Sequence, residues 1–304
     1  MAMIDTHVKV ASLELKNPIL PASGCFGMGD ELLKHYSLEN LGGLVSKAIS
    51  LEARLGNPTP RIAEAASGML NAVGLENPGL DYFIEHYIPL YKSFKLPIIV
   101  NVVGHCPDDY VAVCQRLEEE TIDALEINLS CPNVKTGCMS IGSDPKQVFD
   151  TVSQIRKVSS KDLWIKLSPN VSDISEIARA AEAAGADVIS AINTLVGIAV
   201  DVERRRPILA NVTGGLSGPC IKPVALRLVR EIRRAVKLPI VGMGGISDAD
   251  DVLAFMMLGA SAVEVGTLAL IDPDAFFALP AKLEARAREL GYRSIEEVRD
   301  SLIQ

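Results

Sequence analysis

The sequence has no Cys-x-x-Cys pair. Its six cysteines stand apart at Cys25, Cys106, Cys114, Cys131, Cys138 and Cys220, and its four histidines are scattered at His7, His35, His86 and His105. No metal site is therefore expected, neither zinc nor an iron–sulfur cluster held by this chain alone. A basic excess is also missing: 30 Lys and Arg against 38 Asp and Glu leave a formal charge of −8, the wrong sign for nucleic acid. The uncharged stretches, 188–200 and 252–263, are too short to span a bilayer and include Asn, Ser, Thr and Gly. Residues 1–16 intersperse Asp5, Lys9, Glu14 and Lys16 where a signal peptide would be apolar, so a cytoplasmic protein with reduced thiols is expected. No Gly-x-Gly-x-x-Gly follows any apolar run, and no Ser/Gly- or Pro-rich linker interrupts the chain, so residues 1–304 read as one domain without a dinucleotide fingerprint.

Short apolar runs are present instead. They begin at Pro18, Leu44, Pro97, Ala124, Leu163, Asp187, Pro239 and Ala262, and read as eight buried strands. Between most of them the apolar spacing is helical, over 108–120, 145–158, 173–184, 222–236 and 248–257. Helix starts are marked by Pro-Asp-Asp at 107–109, Ser-Asp-Pro at 143–145 and Ser-Asp at 247–248; Gly185 and Gly259 supply stops. Eight βα units in a chain of this length predict an α/β fold, a (β/α)8 TIM barrel. The alternation of His7-Val-Lys-Val-Ala-Ser-Leu-Glu-Leu predicts a short N-terminal β-hairpin at the barrel bottom. Two long connections rich in Gly, Pro and Asn, 56–79 and 197–223, follow strands and read as active-site loops on the C-terminal face.

Polar residues at strand ends are informative, because a barrel interior favours Val, Ile and Leu. Lys47, Asn101, Asn128, Lys166 and Asn193 each close a strand and are expected to line one pocket. Gly244-Gly245 and Gly266-Thr267 follow the last two strands, where barrels commonly hold a phosphate on backbone N–H groups; the loop Gly214-Gly-Leu-Ser-Gly218 adds to that reading. Cys131 lies in a polar loop, Asn128-Leu-Ser-Cys-Pro-Asn-Val-Lys-Thr-Gly137, placed where a catalytic group belongs, whereas Cys25, Cys106, Cys114 and Cys220 read as core, turn or surface residues.

Over nearly its full length the chain resembles the dihydroorotate dehydrogenases, specifically the catalytic subunit of the NAD-linked (class 1B) type. The resemblance rests on PASGCFG, GNPTPR, NAVGLENPG, NLSCPNVK, KLSPN, INT, ILANVTGGLSGP, GMGGI and GT, in that order. It implies oxidation of dihydroorotate to orotate in pyrimidine biosynthesis, with hydride passing to an FMN across the barrel mouth and Cys131 as general base. By the same resemblance, Ala22, Ser23, Gly24, Lys47, Ala48, Asn101, Asn128, Lys166 and Ile192 touch the flavin, while Gly218, Gly244, Gly245, Gly266 and Thr267 hold its phosphate and ribityl chain. Lys47, Asn71, Ala72, Val73, Gly74, Leu75, Asn128, Asn193 and Thr194 hold the substrate. The family loop usually reads Gly-Gly and later Phe-Gly where this chain has Gly137-Cys138 and Ile141-Gly142.

The resemblance further implies a homodimer of this chain joined, in a heterotetramer, to a subunit with FAD and a [2Fe–2S] cluster that passes electrons to NAD. A single-subunit, fumarate-linked dihydroorotate dehydrogenase is the alternative. Two readings from other classes are a lyase barrel with a Schiff base on Lys166 and a catalytically silent flavin-binding scaffold. The residue types suit the first reading, since Asn side chains match the imide edge of a pyrimidine and Lys47 and Lys166 offset the charge of anionic ligands in an acidic protein.

Overall fold

The computed structural model describes residues 4–30, 32–130 and 141–303. In chain order the strands are β1 (Val8–Val10), β2 (Leu13–Leu15), β3 (Ile19–Pro21), β4 (Leu44–Val45), β5 (Ile62–Ala65), β6 (Gly68–Asn71), β7 (Ile98–Val102), β8 (Ala124–Asn128), β9 (Asp162–Lys166), β10 (Val188–Ala191), β11 (Leu195–Ile198), β12 (Val200–Asp201), β13 (Arg206–Pro207), β14 (Thr213–Ser217), β15 (Ile240–Met243) and β16 (Ala262–Val265). Eight of them pair in parallel in the order β3-β16-β15-β10-β9-β8-β7-β4. They are the eight apolar runs of the sequence, and burial on both faces explains why most lack alternation. The seam between β3 and β4 is closed by the Gly42 N–H, which donates to the Ile19 carbonyl at 2.9 Å. Glycine is required there because a Cβ would stand 2.1 Å from the Asn17 carbonyl oxygen. The sheet is a (β/α)8 TIM barrel.

Helices at Pro107–Glu118, Pro145–Arg156, Ile174–Ala183, Lys222–Ala235 and Ala249–Met257 alternate with the strands, within two residues of their expected bounds. Asp144, Asp173 and Asp248 cap three of them by accepting from the N–H groups of Lys146, Ser175 and Asp251. At 107 the helix starts differently: Cys106 makes no side-chain cap, and Asp109 turns back to accept from the His105 N–H at 2.7 Å. Each helix buries an apolar stripe against the barrel in one continuous core.

The N-terminal hairpin β1-β2 buries Val8, Val10, Leu13 and Leu15. Its turn is fixed to the start of β9, where the Asp162 carboxylate accepts from the Ser12 N–H at 2.9 Å and the Ser12 hydroxyl at 2.7 Å. The hairpin thus lies at the N-terminal end of the barrel strands.

The two long connections are not loops throughout. They pair with each other in a four-stranded antiparallel sheet of order β11-β14-β6-β5, with Gly215 opposite Asn71, Leu216 opposite Leu70 and Ser217 opposite Met69. Gly68, Gly214 and Gly215 made these segments look like turns. Here they serve close packing, since a Cβ on Gly215 would stand 2.1 Å from the Thr194 hydroxyl. The sheet carries a small core of its own, formed by Ala63, Leu70, Ala72 and Leu209.

Candidate active site

A cavity of about 340 Å³ opens at the C-terminal ends of the barrel strands, under the four-stranded sheet. Ala22, Ser23 and Gly24 follow β3 into its wall, Lys47 and Ala48 follow β4, Asn128 and Lys166 end β8 and β9, and Ile192, Asn193 and Thr194 follow β10. From the sheet come Asn71, Val73, Gly74 and Leu75, and from the opposite side Gly218, Gly244, Gly245, Gly266 and Thr267. Two expected contacts do not reach the cavity. Ala72 points into the small core of the sheet, and Asn101 lies fully buried below the cavity floor. Cys131, with Gly137 and Cys138, lies outside the described residues. Eight lining residues, Cys25, Ile62, Met69, Ser217, Ile221, Met243, Glu264 and Leu270, lie outside the expected contacts. Cys25, read as a structural thiol, adjoins Gly266, where a Cβ would come 3.1 Å from its sulfur.

The asparagines are oriented by neighbours. Asn193 Nδ2 donates to the Ser130 hydroxyl at 2.8 Å and to Asn128 Oδ1 at 3.4 Å, while Ser130 donates to the same Oδ1 from its hydroxyl and its N–H. Asn193 Oδ1 accepts from the Thr194 N–H at 2.8 Å, and the Tyr110 hydroxyl donates to the Asn128 carbonyl at 2.9 Å. The 71–79 segment is held by Asn77, whose amide donates to Ser50 Oγ and the Leu75 carbonyl and accepts from the Gly79 N–H. Such networks fix donor and acceptor directions before any ligand arrives. No carboxylate among the described residues pairs with Lys47, so its ammonium is available to an anionic ligand.

Lys166 is in a different position. Its Nζ lies 3.3 Å from Glu126 Oε2 and 3.2 Å from Glu264 Oε2, with both carboxyl side chains at 0% exposure. Burial works against its charge, but the two carboxyls outweigh it and hold the ammonium protonated well above the ordinary lysine range. An amine held protonated between two carboxyls is a poor nucleophile, which argues against a Schiff base on Lys166.

At the other end of the cavity, Gly218, Gly244 and Gly245 all have positive φ (101°, 126° and 79°). A Cβ on Gly245 would meet the Gly218 carbonyl oxygen at 2.8 Å and the Lys222 backbone nitrogen at 2.9 Å. This end offers backbone and the Thr267 hydroxyl, which donates to Ser217 Oγ at 2.9 Å. Bare backbone beside the start of the Lys222–Ala235 helix fits a phosphate.

The family model for dihydroorotate dehydrogenase matches residues 5–286. The chain belongs to the dihydroorotate dehydrogenase family. A protein of Listeria innocua is 50% identical over 97% of this chain and 98% of its own length. One from Enterococcus faecalis strain OG1RF is 52% identical over 96% of this chain and 94% of its own. Both carry the name dihydroorotate dehydrogenase B (NAD(+)), catalytic subunit. Within this family of oxidoreductases, the strand-end lysines and asparagines and the glycine end of the cavity take on a specific chemical meaning.

Proposed function

We propose that the chain oxidises dihydroorotate to orotate in pyrimidine biosynthesis, with an FMN across the barrel mouth, as the catalytic subunit of an NAD-linked enzyme. What carries this reading is the gathering of Lys47, Asn71, Asn128, Lys166 and Asn193 into one cavity with a glycine-lined end, on the barrel face where this fold does its chemistry. The residues present fit FMN: Gly218, Gly244, Gly245, Gly266 and Thr267 would hold its phosphate and ribityl chain, and Ala22, Ser23, Gly24, Ala48, Asn128, Lys166 and Ile192 its ring. When bound, FMN supplies the two-electron acceptor.

The chain's own residues do the rest. Lys47 pairs with the substrate carboxylate, and Asn71, Asn128, Asn193 and Thr194 offer the donors and acceptors that an imide edge requires. Val73, Gly74 and Leu75 close that side. Cys131 takes the proton from C5 of dihydroorotate as the C6–H bond is broken, and Lys166 balances the negative charge that reduction adds nearby. The catalytic-subunit name of the relatives supports a partner, read as a subunit with FAD and a [2Fe–2S] cluster on a homodimer of this chain, in the cytoplasm. Purified protein that is yellow with FMN and bleaches on adding dihydroorotate is the expected result; colourless protein, or colour that dihydroorotate leaves unchanged, would refute the reading.

A further inference from the structure

Beneath the cavity floor the barrel interior is polar where apolar side chains are the rule. Asn101 from β7 donates through Nδ2 to Glu126 Oε2 from β8; Lys166 from β9 touches the same oxygen; and across the lumen Lys166 reaches Glu264 of β16. Ser190 of β10 lies beside Glu126. Two carboxyls at 0% exposure thus share one ammonium that is itself only 5% exposed, and Glu126 Oε1, Glu264 Oε1 and Asn101 Oδ1 find no donor among the described residues. Three full charges would leave a net negative charge in a dry interior with acceptors facing no hydrogen. One added proton removes the excess charge and supplies a donor.

We propose that Glu126 and Glu264 hold a single proton between them, so that the layer under the cavity carries Lys166 and one negative charge, and that this pair, acting through Lys166, sets the reduction potential of the flavin. The proton resides on Glu264. Burial and then the neighbouring Glu126 push its carboxyl well above the usual range, whereas for Glu126 burial is outweighed by Lys166 and by side-chain hydrogen bonds, which bring it below. The other titratable groups facing the pair are Lys166 and the Cys25 thiol, which burial pushes up to about 11 and so keeps neutral; Lys47 lines the same cavity. Glu126 and Glu264 are positioning residues, because they act on bound flavin through the Lys166 ammonium.

The two carboxyls can substitute for each other. In E264Q, Glu126 remains the counterion; in E126Q, Glu264 loses its proton and becomes the counterion. Each single variant keeps the net charge of the layer, and only the double variant leaves Lys166 unbalanced. The flavin part of this inference rests on the FMN reading, whereas the shared proton can be read without flavin. Infrared absorption at neutral pH should show the carbonyl band of a protonated carboxylic acid in the wild-type chain, with or without flavin, and in neither single variant. Its absence from the wild type, or its persistence in both single variants, would overturn the shared proton. In the holoenzyme, each single variant should hold the flavin midpoint potential at the wild-type value. The double variant should raise it, tightening reduced relative to oxidised FMN by about tenfold or more. Equal, additive rises in the two single variants would mean that both carboxylates are ionised and would overturn the proposal.

Discussion

Lys47 stands in the cavity wall with no carboxylate partner among the described residues, so its role is decided by what the ligand brings. Lys47→Ala, once its flavin content is matched to wild type, should weaken orotate by about tenfold to a hundredfold and an uncharged pyrimidine far less. Equal losses for the two ligands in a titration would rule out carboxylate pairing. Cys131 makes a kinetic demand. An ordinary thiol, with a pKa of about 8.5, is mostly protonated at neutral pH, so flavin reduction by dihydroorotate should accelerate as pH rises toward that value. Cys131→Ala should still bind orotate but slow stopped-flow flavin reduction by about a hundredfold or more, while Cys138→Gly should keep most of the rate. The opposite pattern would transfer the base to Cys138.

At the scale of elements, the glycine end of the cavity depends on two helix starts. Ser247, two residues beyond Gly245, donates its N–H and hydroxyl to Asp251 Oδ2 at 2.9 and 2.8 Å, and Lys222 Nζ reaches Asp251 Oδ1 at 2.5 Å. Gly245→Val should empty the site, read as the flavin-to-protein absorbance ratio, because its side chain would strike Gly218 and Lys222 backbone. For Asp251, burial opposes ionisation, but Lys222 and the Ser247 donors outweigh it and lower the pKa. A carboxyl depressed in the folded state contributes stability that is present above its unfolded value, about 3.9, and is lost as pH falls through the folded value. Asp251→Asn should therefore cost about 1–3 kcal/mol at pH 7, and the gap between the two melting temperatures should close in acid. The same elements show what could be read from the sequence. The eight strands were legible because their apolar runs are short and bounded. The β5-β6 and β11-β14 hairpins were not, because their glycines read as turns and the β6-β14 pairing that joins them into one sheet links segments more than a hundred residues apart. Glu126 and Glu264 escaped notice inside the apolar runs Ala124-Leu-Glu-Ile and Ala262-Val-Glu-Val, since only the third dimension shows that Lys166 meets both. Asn101 matched the strand-end pattern, but its side chain turns into the same polar layer, below the cavity.

For the whole molecule, the electrons taken from the substrate must leave, and neither a dinucleotide fingerprint nor a cysteine cluster is present in the sequence to carry them. The purified chain should reduce an artificial dye with dihydroorotate but reduce NAD at a negligible rate until the partner subunit is added. Brisk fumarate reduction by the chain alone would reassign it to the fumarate-linked type. The hairpin at the foot of the barrel bears on how such experiments can be built. Asp5 and Ile295 are joined through backbone hydrogen bonds, the Asp5 N–H donating to the Arg293 carbonyl and the Ile295 N–H to that of Asp5. The stretch before the hairpin and residues 293–295 therefore lie side by side, at the pole opposite the cavity. A linker or affinity handle introduced at that pole would anchor the protein to an electrode or sensor chip with its mouth facing solution.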